Sequence, residues 1–272
     1  MHTVSIERCP NYEPERVKSA LIRLLEPLGG MDAFVTPGER VLLKPNMLSA
    51  KDPEKAVTTH PAVLRAAIDL VKRAGGIPLV GDSPGIGDFR KVAARTGLLQ
   101  VCEETGAALA EFSDAVEVAG TGLFRRLELA RPYLEADRII NLPKLKTHEM
   151  MTMTCAVKNL FGAVVGHAKA AWHLKAGADR EQFARMLLEI YLLRKPDLTI
   201  VDAVTAMEGN GPGSGDPVDV GLLLAGTNAV AVDVVTAELA GIPASLLYVE
   251  RTARKLGIDG ADRTGIKTVG LP

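Results

Sequence analysis

Residues 40–85 read RVLLKPNMLSAKDPEKAVTTHPAVLRAAIDLVKRAGGIPLVGDSPG. Two apolar runs, Arg40 to Leu43 and Ile77 to Val80, flank a segment from Thr59 to Ala74. In that segment Val63, Ala67, Leu70, Val71 and Ala74 recur at helical spacing. Pro61 falls in its first turn and Gly75-Gly76 follow its last, as start and stop signals should. Strand, helix, strand over this length is a βαβ unit. Each strand closes on polar residues: Lys44-Pro45-Asn46 after the first, Gly81-Asp82-Ser83-Pro84-Gly85 after the second.

The alternation continues outward in both directions. Thr3 to Glu7 reads as a strand and Glu13 to Leu28 as a helix ending at Gly29-Gly30. Phe89 to Thr105 reads as helical, Arg138 to Leu142 as a core strand, and 181 to 194 as an amphipathic helix. Leu198 to Val201 and Val220 to Leu224 read as strands, Val230 to Leu239 as a helix ended by Gly241, and Ile266 to Val269 as an edge strand. Three short runs, Ala108 to Phe112, Val116 to Ala119 and Phe124 to Leu129, are expected as an antiparallel excursion, a candidate subdomain over about 106–135. The pattern predicts an α/β fold over residues 1–272 as one domain, with a largely parallel central sheet and helices on both faces. Ligands of such sheets sit outside the carboxyl ends of the strands.

Composition narrows the function classes. A net charge of −1 gives no global pull toward nucleic acid or an anionic membrane, and aromatics at 4% leave few stacking platforms. No apolar run approaches the roughly 18 residues of a membrane span, and the first residues lack a secretory h-region, so the cytoplasm is the expected compartment. Cys9, Cys102 and Cys155 are odd in number and widely spaced, which fits neither a disulfide framework nor an iron–sulfur cluster held by this chain.

Four strand ends carry the candidate chemistry. Besides Lys44-Pro45-Asn46 and Gly81-Asp82-Ser83, the run 139–142 is closed by a turn, Pro143-Lys144-Leu145-Lys146-Thr147-His148. The run 198–201 is closed by Asp202, with Glu208 and a Gly-rich stretch to Gly215 beyond it. Residues 138 to 175 hold Arg138, Lys144, Lys146, Lys158, Lys169 and Lys175 against Glu149 alone, a local balance of +5, and also three of the five histidines, His148, His167 and His173. Such an island attracts anions if it is not merely a solvated face.

Lys158 stands in an apolar run, Cys155 to Phe161, where desolvation would lower its pKa and make it a base or a Schiff-base former; a lysine snorkelling to solvent is the bland alternative. Gly162 permits close backbone approach. Lys169, in a looser Ala-rich stretch, is expected to matter little. Neither Gly-rich stretch matches a nucleotide-binding loop, the histidine spacing matches no metal motif, and residues 208–217 are either a lid or a plain loop.

Taken together these segments resemble a known family. Val-Leu-Leu-Lys-Pro-Asn (41–46), Thr-His-Pro (59–61), Gly-Asp-Ser-Pro-Gly (81–85), Leu-Pro-Lys-Leu-Lys-Thr-His (142–148) and Ala-Val-Lys-Asn-Leu-Phe-Gly (156–162) look like the signature of domain of unknown function 362. Asp202-Ala203, the Glu208–Gly215 stretch and Ala231-Val232-Asp233 continue it. Members are often associated with iron–sulfur proteins, some through an appended ferredoxin-like domain, which this sequence lacks. The resemblance therefore implies that redox chemistry would need an iron–sulfur or ferredoxin-type partner or a bound cofactor of unknown identity. A fainter analogy runs to the nickel-pincer lactate racemases, through an acidic strand-end turn and a later Gly segment bearing His and Lys.

The residues point to an enzyme acting by general acid–base or redox chemistry on an anionic small molecule or cofactor. Lys44, Lys146 and Lys158 would hold the anion, His148 or Lys158 would move a proton, and Asp82 and Asp202 would orient those bases. Asn46, Ser83, Lys144, Thr147, Asn159, Gly162 and Glu208 complete the expected binding set. The alternative is a non-catalytic cofactor-binding or maturation factor that docks with an iron–sulfur protein.

Overall fold

The expected βαβ unit is formed. In the computed structural model, which describes residues 1–120, 122–165, 169, 172 and 179–271, Arg40–Pro45 and Ile77–Asp82 pair in parallel with Arg40 opposite Ile77 and Leu43 opposite Val80. The helix between them, Pro61–Arg73, is capped by His60, whose Nδ1 accepts from the Ala62 N–H at 3.1 Å.

In chain order the strands among the described residues are β1 (His2–Arg8), β2 (Arg40–Pro45), β3 (Ile77–Asp82), β4 (Ala108–Glu111), β5 (Ala115–Ala119), β6 (Arg126–Ala130), β7 (Arg138–Leu142), β8 (Lys144–His148), β9 (Thr152–Thr154), β10 (Leu198–Glu208), β11 (Asp216–Gly226) and β12 (Ile266–Gly270). The main sheet runs β12-β1-β11-β10-β7-β2-β3-β4, with β8 and β9 added beside β10. All pairings along that path are parallel except those of β11, which is antiparallel to both β1 and β10.

Strand residues alternate between two cores, one on each face. On β2, Leu42 joins one core while Val41 and Leu43 join the other; on β7, Ile139 separates likewise from Ile140 and Leu142. Helices Pro14–Leu25, Pro61–Arg73, Phe89–Arg95 and Leu98–Thr105 cover one face. Helices Arg180–Leu193, Ala229–Leu239 and Tyr248–Lys255 cover the other. The last of these was not anticipated from the sequence.

Two expectations need correction. Ala108–Glu111 is not part of an antiparallel excursion: it pairs in parallel with β3, Leu79 opposite Ala108, because the helices over 89–105 supply the crossover. Only β5 and β6 form the separate antiparallel pair. The segment after Leu142 is not a turn either. Pro143 has no N–H to continue the ladder of β7, and β8 starts afresh beside β10, Lys144 opposite Asp202 and Lys146 opposite Met207. β10 accordingly runs to Glu208, well past Val201, before turning back into β11.

Candidate functional site

The carboxyl ends of β2, β3, β7 and β10 fall along one edge, with Lys44 opposite Asn141 and Asp202 opposite Lys144. Two buried ion pairs form there. Lys44 Nζ lies 2.9 Å from Asp82 Oδ1 across neighbouring strands, while Asp82 Oδ2 accepts from the Met47 N–H at 2.8 Å. Lys144 Nζ lies 2.9 Å from Asp202 Oδ2 and also donates to the Tyr12 hydroxyl at 2.7 Å. Tyr12 donates in turn to Asp202 Oδ1 at 2.7 Å, and the His60 N–H donates to Asp202 Oδ2 at 2.9 Å. The Tyr12 and His60 rings stack at 3.5 Å. Burial pulls both lysines down from the usual range and raises the Tyr12 hydroxyl, with the paired carboxylates pulling Lys44 and Lys144 partly back up.

In front of the Lys44–Asp82 pair opens a cleft of about 410 Å³. Asn46, Asp82, Ser83, Lys146, His148, Lys158, Asn159, Gly162 and Lys169 line it, together with apolar Met47, Leu48, Ile86, Phe161 and Pro212. That size and mixture suit a small ligand. Its charge is one-sided: Asp82 is already matched by Lys44, whereas no carboxylate among the described residues lies within ion-pair distance of Lys146, Lys158 or Lys169.

Each of these three amines is held differently. Lys146 Nζ donates to Asn46 Oδ1 at 2.8 Å and to the Val57 carbonyl at 2.6 Å. Burial, then the charges of Lys158 and Lys144, push its pKa well below the lysine range. Lys169 donates to the carbonyls of Ser83 and Pro84, and burial, the dominant effect, brings it to about 8. Lys158 lies over the Phe161 ring at 4.7 Å and the Phe183 ring at 5.4 Å. Although its side chain is only partly buried, crowding by protein atoms and then the charges of Lys169 and Lys44 bring it down to about 7.

A chain of amides fixes the cleft floor. Asn46 Nδ2 donates to Asn159 Oδ1 at 2.9 Å, Asn159 Nδ2 to Asn141 Oδ1 at 2.8 Å, and Asn141 Nδ2 to the Ala156 carbonyl at 3.0 Å. Lys158 and Asn159 ride on a short helix, Ala156–Asn159, whose Ala156 and Val157 N–H groups donate to Asp233 at 2.6 and 2.9 Å. Burial lifts the Asp233 carboxyl to about 6 against those two donors. His148 Nδ1 accepts from the Met150 and Met151 N–H groups at 3.2 and 3.3 Å, which assigns the proton of the neutral ring to Nε2. Gly162 is required by contact: a Cβ there would sit 1.9 Å from Asp82 Oδ1 and 2.6 Å from Lys44 Nζ.

The strand-end residues thus divide between the cleft and its support. Lys44 lies behind the cleft, paired to Asp82. Lys144 and Asp202 form their own buried cluster and do not line the cleft. Thr147 turns its hydroxyl to the Met207 carbonyl at 3.5 Å, and Glu208 is exposed at the end of β10. The basic island is likewise divided. Arg138 starts β7 at the opposite end of the sheet and pairs with Glu39 and Asp197; His167, His173 and Lys175 lie outside the described residues. Lys169, expected to be peripheral, is a cleft residue.

The sequence reading missed Tyr12, Asn141 and Asp233. The one available signal was Asp233, an acid set among Val232, Val234 and Val235 in the middle of the helix Ala229–Leu239. Among the described residues no three His, Cys, Asp or Glu side chains converge as a metal-holding group.

Comparison with known proteins follows the same outline. The chain is 42% identical over 257 residues to the Thylakoid-associated protein sll1697 of Synechocystis sp., an alignment covering 94% of this chain and 80% of that one. Among the described residues no helix is long and apolar enough to cross a membrane. The lactate racemase apoprotein of Thermoanaerobacterium thermosaccharolyticum shares the fold, with a TM-score of 0.55 at 12% identity over 87% of this chain, which spans 56% of that structure's length. The family DUF362, described as a domain of unknown function, matches residues 41–238, the segment that carries β2 through the helix after β11 and every residue lining the cleft, and the chain belongs to it.

Proposed function

We propose that the chain is an enzyme that binds an anionic small molecule or anionic cofactor in the cleft and moves a proton on it. The observation that supports this reading is the convergence of Lys146, Lys158 and Lys169 on one cavity whose single carboxylate among the described residues is already paired. Lys169 and Lys146 hold the anion; Lys158 is the group that gives or takes a proton near neutral pH, with His148 beside it as a hydrogen-bonding group of the same cleft. The Lys44–Asp82 pair and the amide chain fix the cleft wall. Redox chemistry on the same anion would need an electron partner, for which an iron–sulfur protein is the family-based candidate.

Sulfate is the test ligand, because it stays dianionic throughout the range that matters. Lys158 near 7 and Lys169 near 8 lose their protons as pH rises, so sulfate should bind most tightly near pH 6 and weaken through pH 7–8. Losing one charged hydrogen bond costs about 1.5–3 kcal/mol, so affinity should fall roughly tenfold or more by pH 9. The same linkage requires proton uptake on binding at pH 8, read as a calorimetric heat that scales with buffer ionisation enthalpy. Binding that ignores pH, or that sodium chloride at equal ionic strength reproduces, would overturn the anion-site reading.

A further inference from the structure

Lys158 differs from the other described lysines at this edge of the sheet, Lys44, Lys144, Lys146 and Lys169. Lys44 and Lys144 are paired with carboxylates, while Lys146 donates to Asn46 and the Val57 carbonyl and Lys169 to two backbone carbonyls, which leaves each of these two one further donor. Among the described residues no hydrogen bond or ion pair engages Lys158 Nζ, which is presented to the cavity over two aromatic faces. An amine with a ring on one side, a cavity on the other and no polar partner is placed as a nucleophile rather than as an anchor.

We infer that Lys158 forms a Schiff base with an anion that carries a ketone or aldehyde group, a small 2-oxo acid being the simplest member of the class. The inference rests on the anion-site reading and specifies its ligand. Lys169 and Lys146 would take the carboxylate or other anionic end, placing the carbonyl carbon near Lys158. The neutral amine donates its lone pair to that carbon, a C–N bond forms, and the C=O π electrons pass to oxygen, which takes a proton. The carbinolamine then loses water as the C=N bond forms and nitrogen gives up its remaining proton, with no net oxidation. His148 lines the same cavity with the proton of its neutral ring on Nε2 and can hydrogen-bond the oxygen as it departs, while water supplies the proton that oxygen takes and accepts the one nitrogen gives up.

A neutral amine near pH 7 is what this step needs, and the surroundings supply it. Burial acts first, followed by the positive charges of Lys169 and Lys44; Lys146 and His148 share the cavity, and Asp82, the one acid there, is paired with Lys44. The rings of Phe161 and Phe183 favour the ammonium and pull the other way. The net position, about 7, leaves a large neutral fraction at neutral pH.

The experiment uses the full chain with pyruvate and sodium cyanoborohydride at pH 6, 7 and 8, read by intact mass and peptide mapping. The expected result is one reduced adduct per chain, mapped to Lys158, forming faster as the amine deprotonates through pH 7. Acetone at equal concentration should label about tenfold less, since it lacks the anionic end. Lys158→Arg, which keeps charge and bulk, should cut trapping about tenfold or more, to the level of surface lysines; Lys158→Met repeats the trapping readout should the arginine not fold. Trapping spread over surface lysines, or unchanged in Lys158→Arg, overturns the inference. Absence of an adduct while wild-type chain still binds sulfate overturns the covalent step alone, whereas loss of both defeats the anion site itself.

Discussion

Lys144→Met should lower stability by about 3–5 kcal/mol, the range for stranding one member of a buried ion pair. Methionine nearly matches the lysine in volume, so little cavity forms, and the loss comes from charge. Asp202, fully buried, would keep its bonds from Tyr12 and the His60 N–H but lose the only cation within ion-pair distance among the described residues. Tyr12→Phe should cost less, about 1–3 kcal/mol. That change removes the hydroxyl that accepts from Lys144 and from the Thr205 N–H, yet leaves the charges paired. Urea unfolding at pH 7 measures both variants, and a double variant should show clear non-additivity because the groups share partners. A loss below about 1 kcal/mol in Lys144→Met would mean that water reaches Asp202 and that the cluster behaves as an exposed pair.

The second large effect is expected from a single methyl group. In Gly162→Ala the new Cβ meets Asp82 Oδ1 at 1.9 Å and Lys44 Nζ at 2.6 Å, separations that no side chain tolerates. Asp82 cannot swing aside freely, because the Met47 N–H holds its other oxygen at 2.8 Å. The backbone at Gly162 does not occupy the left-handed region, so the test is steric and not conformational. Overpacking costs about 1–3 kcal/mol, and separation of the buried pair adds to it. Sulfate binding should weaken in the same variant, since Asp82 and Lys44 form the back of the cleft. Crystals of Gly162→Ala with the Lys44–Asp82 contact intact and unchanged sulfate affinity would show that the wall is softer than the geometry implies.

The strands were legible where burial on both faces makes parallel strands continuous apolar runs, as at Val41-Leu42-Leu43 and Ile139-Ile140. β8 was hidden because its residues, Lys-Leu-Lys-Thr-His, carry two lysines that ordinary rules assign to solvent, whereas Lys144 and Lys146 are almost wholly buried. The convergence of Lys44, Asp82, Lys144, Lys146 and Asp202 on one edge followed from strand ends alone. Their pairing did not. Asp82 meets Lys44 because β3 lies beside β2, and Asp202 meets Lys144 because β8 lies beside β10; lateral order in a sheet is not written in chain order. Asp82 and Asp202, expected to orient the bases, therefore neutralise lysines instead. Lys169 was out of reach for a similar reason, since its contact with the Ser83 and Pro84 carbonyls joins segments far apart in the chain.

The place of β1 in the sheet has a consequence for how the chain is made. β1 ends at Arg8, but its antiparallel neighbour begins at Asp216 and its parallel neighbour at Ile266. A ribosome delivers residues in order, so β2, β3, β4 and β7 can all emerge and pair while β1 still has neither partner. Throughout that interval both edges of β1 are open, and Val4 and Ile6, buried in the finished protein, have no core to enter. A nascent chain stalled before β11 would carry this apolar strand unpaired, a natural target for a chaperone or for another copy of itself. β1 is made before both of its partners and waits for them until the chain has reached β11 and β12.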